Sequence, residues 1–364
     1  VREIVYDFHG ALRARIRGLS PFSLKAFNCL HAYFESGPGI RSHPRPGVGV
    51  PGRAAESSAA VPDLEVEIGP FEPDLSGCAN VDHTFYLRRG YVFFRGSDKG
   101  LAWKAEVLGL DRPEGAVRVR FEAPLRNRLR FPWCLFPDLV LNLYVLNPLL
   151  ELMLWKRGLR LIHSAGVEKG GRACLVAGRG GAHKTTFTMA LLRRGWRLLG
   201  DDLVLLRGGE VLCFPTVAQE LDYLTRRQPT EEMGFLAKAG LFRHLAADLP
   251  FSLPVAASAR PAALNLVRVR DIPSPVVRQD WDLDAAVESL VANHRMERIT
   301  YVGFKVSTGA FLDAYEYAFP EAGFRGQSAD LAAALRGALR DAALRVIDVP
   351  HRWDPRNLEH LLEA

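Results

Sequence analysis

Residues Gly178–Thr186 read GRGGAHKTT, and Gly200-Asp201-Asp202 follows, with Asp201 seventeen positions after Lys184. Residue types at this spacing fit one chemistry: holding a nucleoside triphosphate with Mg²⁺ and acting on its terminal phosphate. Ala173–Ala177 (ACLVA) is a short apolar run, expected as a buried parallel strand. It feeds Gly178, Gly180 and Gly181, where the absent Cβ lets backbone N–H groups approach phosphate oxygens. Arg179, Ala182, His183 and Thr186 complete the expected nucleotide-binding loop. Lys184 is placed to reach the β- and γ-phosphates, and the Thr185 hydroxyl to ligate Mg²⁺. A helix is expected from Thr185 to about Arg194, its positive end toward the phosphates and Gly195 closing it. One position departs from G-x-x-x-x-G-K-[ST]: His183 stands where the pattern has glycine.

The acidic pair lies between two apolar stretches, Trp196–Leu199 and Leu203–Leu206. One aspartate could hold Mg²⁺ and the other take a proton from an attacking hydroxyl. Adjacent residues of an extended segment point to opposite sides, so the two are expected to have different surroundings. Upstream, Gly158–Val167 (GLRLIHSAGV) reads as one strand ending in a turn and carrying His163. A lone histidine after an apolar strand is more often structural than catalytic.

The run RLIHSAGVEKGGRACLVAGRGGAHKTTFTMALLRRGWRLLGDDLVLL resembles the catalytic core of HPr kinase/phosphorylase. It is closer still to HPr-kinase-like proteins of peptide-modification pathways, such as the kinases of lasso-peptide biosynthesis. The resemblance covers about Leu139–Leu206. It implies an α/β fold: a P-loop HPr-kinase/PEP-carboxykinase-like core, here with an N-terminal β-rich module. It also implies ATP and Mg²⁺ as cofactors, and a serine or other hydroxyl of a peptide, protein or small molecule as acceptor. His163, Lys184, Thr185, Asp201 and Asp202 fall on matching positions. By this resemblance the catalytic set is Asp201 (general base), His163 (a polar group near the phosphates) and Lys184, and the metal ligands are Thr185 and Asp202. Thr186 stands where the bifunctional enzymes have an acidic residue, so a kinase without reverse phosphorolysis is expected. Relatives form hexamers or smaller homo-oligomers, so a homo-oligomer is open here.

Two other readings stand beside the kinase. A nucleotide-binding regulator or scaffold without catalysis is the one His183 favours. A carboxykinase-like transfer to a small acid calls for a substrate arginine cluster and a distinctive metal-binding set, and neither is located in the sequence.

These residues need elements to position them. The 364 residues, 48% hydrophobic and 24% charged, are those of a globular protein of about two domains. Residues 1–130 read as a β-rich module with a mobile Gly/Pro/Ser-rich loop at 36–62, and 131–364 as the α/β catalytic domain. Strands are expected at Leu64–Ile68, Thr84–Leu87, Tyr91–Phe94, Leu101–Val107 and Ala116–Phe121, and helices at 282–301, 329–343 and 355–362. The net charge of +6 favours anionic ligands. The densest basic stretch, Arg118 to Arg130, alternates like the wet face of a strand, so no nucleic-acid partner is expected. The apolar segment Phe131–Trp155 is interrupted by Asp138, Asn142, Asn147, Pro148 and Glu151, which argues for a buried helix starting at Asn147-Pro148 rather than a membrane span. The five cysteines show no metal or redox spacing and no signal peptide opens the chain, so a cytoplasmic location is expected.

Overall fold

The structure is a computed structural model describing residues 2–19, 34–36, 62–98, 101–111, 116–123, 140–215, 254–279, 281–299 and 308–351. The interior of the expected loop at 36–62, the boundary near 130 and the expected helix at 355–362 lie outside the described residues. The fold is mixed α/β, with two mixed β-sheets of nine strands each.

The first sheet contains β1 (Arg2–Phe8), β2 (Leu12–Leu19), β3 (Glu35–Ser36), β4 (Leu64–Ile68), β5 (Ala79–Val81), β6 (Phe85–Arg88), β7 (Tyr91–Asp98), β8 (Leu101–Leu108) and β9 (Val117–Glu122). Its order is β3-β1-β2-β4-β9-β8-β7-β6-β5, with parallel pairing among the described residues only at β2–β4 and β4–β9. Period-two alternation explains the sidedness. Tyr6, Phe8, Leu12, Ala14, Ile16, Val119 and Phe121 are buried, while Arg118 and Arg120 on the other face pair with Glu65 and Glu106.

The chain then enters a helix at Val140, passes through a π-helical turn at Asn142–Leu146 and continues as α1 (Asn147–Lys156). As expected, α1 starts at Asn147 with Pro148 in its first turn, and the π-helical turn leads into it. The wider turn leaves room for a proline, whose missing N–H and bulky ring a regular helix interior rejects. Leu149, Leu150, Leu152, Met153 and Leu154 are buried, and among the described residues no helix is long and apolar enough to cross a membrane.

The second sheet contains β10 (Arg160–His163), β11 (Ala165–Lys169), β12 (Arg172–Ala177), β13 (Arg197–Gly200), β14 (Leu203–Arg207), β15 (Glu210–Leu212), β16 (Ser258–Arg270), β17 (Val276–Arg278) and β18 (Ala343–Pro350). The single strand expected over 158–167 is in fact two, broken at Ser164. β10 pairs antiparallel with β14, whereas β11 pairs with β12 and β13, so the break passes the chain between two parts of the sheet. Strand β12 is parallel to β16, and β16 to β18. Helix α2 (Lys184–Leu192) packs on one face through Phe187 and Leu191. Helices α3 (Leu283–Ile299) and α5 (Gln327–Leu339) cover the other, joining Ala286, Val287, Leu290, Leu331 and Leu335 to Leu175 and Leu264. Between them in the chain, α4 (Ala310–Ala318) turns toward the first sheet and stacks Phe311 on Phe94.

Candidate active site

Strand register brings the predicted residues to one end of the second sheet. Ala165 pairs with Val176, just before Gly178; Gly166 pairs with Gly200; His163 pairs with Leu203. His163, the glycine loop and Asp201-Asp202 thus meet, although nearly forty residues of chain separate the ends of the set.

The loop leaves β12 at Gly178, where φ is +155° and a Cβ would stand 2.6 Å from the Val267 carbonyl oxygen and 2.9 Å from the Ala182 Cβ. No side chain fits there. Gly200 has a similar constraint, since a Cβ would lie 2.0 Å from the Leu203 carbonyl oxygen across the bend that carries the aspartates. His183 caps α2 at φ +64° and ψ +17°, in the left-handed region. The position demands the conformation that glycine adopts most easily, and histidine is among the side chains that tolerate it.

Lys184 begins α2 and is buried. Its ammonium donates to the Gly178 carbonyl at 2.8 Å and to His163 Nε2 at 3.0 Å, with Asp202 Oδ1 3.6 Å away. An ammonium has no acceptor, so His163 Nε2 accepts here and the ring proton sits on Nδ1. The His163 backbone carbonyl takes a bond from Asn293 Nδ2 at 3.2 Å, which ties α3 to the end of β10. Asn293 carries no motif signal in the sequence; only the packing of α3 on β10 reveals it.

The two aspartates lie on a bend, not on an extended segment. Asp201 is 6% exposed and accepts from Thr185 Oγ1 at 3.1 Å. The Asp202 side chain is 39% exposed and its Oδ1 lies 3.4 Å from His163 Nε2. One carboxylate is thus locked against the start of α2, and the other stands at the mouth beside the buried lysine. The Thr185 hydroxyl with carboxylate oxygens is a hard-oxygen donor set of the kind Mg²⁺ takes together with phosphates and water. Arg179 and Gly180 are exposed at the loop tip, Gly178 and Ala182 are buried, and Thr186 is half-buried on the first turn of α2. The site residues named from the sequence therefore assemble in one place. No protein-family model matches the chain, and no curated protein matches it significantly.

Proposed function

We propose that the chain is an ATP-dependent phosphotransferase with an HPr-kinase-like P-loop core, acting on a hydroxyl, with serine as the expected acceptor. The observation that carries this reading is the convergence of Lys184, Thr185, His163, Asp201 and Asp202 around one glycine loop at a helix N-terminus. The loop N–H groups and the positive end of α2 bind the phosphates, and the Lys184 ammonium turns from the Gly178 carbonyl to their oxygens. Thr185 and Asp201 would hold Mg²⁺, which when bound neutralises charge on the β- and γ-phosphate oxygens.

Geometry favours a division of the aspartates opposite to that implied by the resemblance. Asp201 is buried against the Thr185 hydroxyl, where P-loop enzymes place the metal-side carboxylate. Asp202 is the one a substrate can reach, so it takes the hydroxyl proton. The acceptor oxygen bonds to the γ-phosphorus, the bond to the β–γ bridging oxygen breaks, and ADP leaves. His163 fixes the Lys184 ammonium between the loop and Asp202.

The test is ADP release alongside calorimetric titration with Mg–ATP. Asp202→Asn is expected to slow transfer by about 10²–10⁴-fold, the range for loss of a general base, with nucleotide affinity kept. Asp201→Asn is expected to weaken Mg-dependent nucleotide binding itself. Full transfer by Asp202→Asn would refute the assignment. Tight binding without turnover under any acceptor would favour the regulator reading that His183 supports.

A further inference from the structure

Three arginines converge on one buried carboxylate beside the glycine loop. Arg268 and Arg270 end β16, Arg278 ends the edge strand β17, and Asp348 lies on β18 between them. Arg268 Nε and Nη2 reach Asp348 Oδ1 and Oδ2 at 2.8 and 3.1 Å. Arg278 Nη2 is 2.6 Å from Oδ2 and Arg270 Nε 3.2 Å from Oδ1. Burial pushes the Asp348 carboxyl up, but the bonds from Arg268 and Arg278 outweigh it and hold the group below the usual carboxylate range. Among the described residues, one carboxylate faces three guanidinium groups, and the adjacent Asp271 sits on an exposed bend. Each guanidinium has five N–H donors in a planar fork, so two carboxylate oxygens engage only a few of them. The Arg270 and Arg278 side chains are 53% and 49% exposed, leaving donors open to a ligand.

Position gives this surplus a use. β12, which carries the glycine loop, runs parallel to β16 with Ala177 opposite Leu266, and Gly178 touches the Val267 carbonyl. Arg268 is opposite Asp348 on the next strand. Neighbouring strands lie about 4.8 Å apart, so Arg268 is one strand and Asp348 two strands from the loop's first residue. Val267 and Val269 pack with Phe187 of α2, so by alternation Arg268 and Arg270 lie on the face away from α2. The cluster lies at the carboxyl ends of the parallel strands β16 and β18, the end at which open α/β sheets take their ligands.

We propose that Arg270 and Arg278, oriented by the Arg268–Asp348 pair, form a subsite for a carboxylate carried by the phosphate acceptor. The inference rests on reading the glycine loop as the phosphotransfer site, and it narrows the acceptor to a hydroxyl compound that bears a carboxylate. Planar forks suit a planar carboxylate, and a neutral alcohol has nothing to offer them.

Malonate titrated into the full chain reads the subsite directly. Wild type and Lys184→Ala should bind it equally, because the subsite lies off the loop. Arg270→Ala/Arg278→Ala should bind at least about tenfold more weakly, the scale of losing charge-assisted bonds, with Mg–ATP affinity unchanged. In that variant Asp348 keeps its two bonds from Arg268, and Arg270→Gln, a single change at an exposed side chain, should show the same direction. Malonate binding that is absent in wild type, or undiminished in both variants, overturns the subsite. ADP release adds a second reading: L-serine should accelerate it and L-serinamide should not, and equal acceleration by the amide also overturns the proposal. Failure of Mg–ATP to bind while malonate binds would refute the phosphotransferase and leave the anion site standing.

Discussion

At His183 the physical demand of the loop and the residue supplied disagree. The residue before Lys184 must adopt φ +64° so that α2 can start as the loop closes. A non-glycine residue pays about 1–2 kcal/mol for the left-handed region. Glycine would return roughly 0.5–1 kcal/mol of that as lost backbone freedom. His183→Gly is therefore expected to raise stability by up to about 1 kcal/mol in urea denaturation, and an unchanged midpoint would mean that the histidine side chain compensates the strain. Gly178 is the opposite case. Alanine there meets the Val267 carbonyl at 2.6 Å with φ already at +155°, so Gly178→Ala should cost about 2–3 kcal/mol, as expected when backbone strain and a close contact coincide.

At the scale of elements, β11 and β13 are pinned together by a buried acid. Glu168 on β11 accepts from Arg197 Nε on β13 at 2.6 Å and from the Gly171 backbone N–H at 2.7 Å. The Arg197 bond draws its pKa down, burial opposes, and the Gly171 bond assists, leaving it below its ordinary 4.5. A carboxyl whose pKa is lower folded than unfolded stabilises fully above the unfolded value. That contribution is lost as pH falls from about 4.5 through the folded value. Arg197→Met should cost about 1–2 kcal/mol at pH 7, less than a fully buried pair because Arg197 is partly exposed and screened, and should flatten the fall in urea midpoint between pH 7 and pH 4. A variant that keeps the wild-type pH slope would show that Arg197 does not hold Glu168. These strands matter because β13 ends at Gly200 and β11 holds β12, which leads into Gly178. The sequence made β12, the loop and α2 legible because strand, glycines and helix are contiguous and each signal is local. It could not reveal the break at Ser164, which follows from how β10 and β11 pair. Nor could it show the Arg268–Asp348 pair, which depends on a parallel register between strands eighty positions apart. Helix α4 is short, and it is held in place by burying Phe311 and Tyr315 against the first sheet and its own end, contacts that its sequence alone does not display.

Across the whole molecule, the two sheets share a core. One apolar cluster joins Phe8, Phe94 and Trp103 of the first sheet to Leu205 and Leu212 of the second, with α1, α4 and Phe214 among them. Polar contacts reinforce it: His9 Nε2 lies 2.7 Å from the Cys213 carbonyl, and the Gly90 N–H donates to the Tyr315 hydroxyl at 2.6 Å. A continuous apolar interface of this kind couples the stability of both halves, so unfolding should be one transition. Phe311, fully buried and stacked 4.9 Å from Phe94, is the residue that tests it. Phe311→Ala should cost about 3–5 kcal/mol, and hydrogen exchange in urea should show β7–β8 and β11–β12 losing protection together. Loss confined to β7–β8 would mean that the sheets unfold independently. Coupling has a functional corollary. A ligand that binds only the folded chain stabilises it by about 2.7 kcal/mol at a hundred times its Kd. Mg–ATP at the glycine loop should therefore slow exchange in β7–β8, which it does not touch, as much as in β11–β12, and Phe311→Ala should lower both without changing the nucleotide increment.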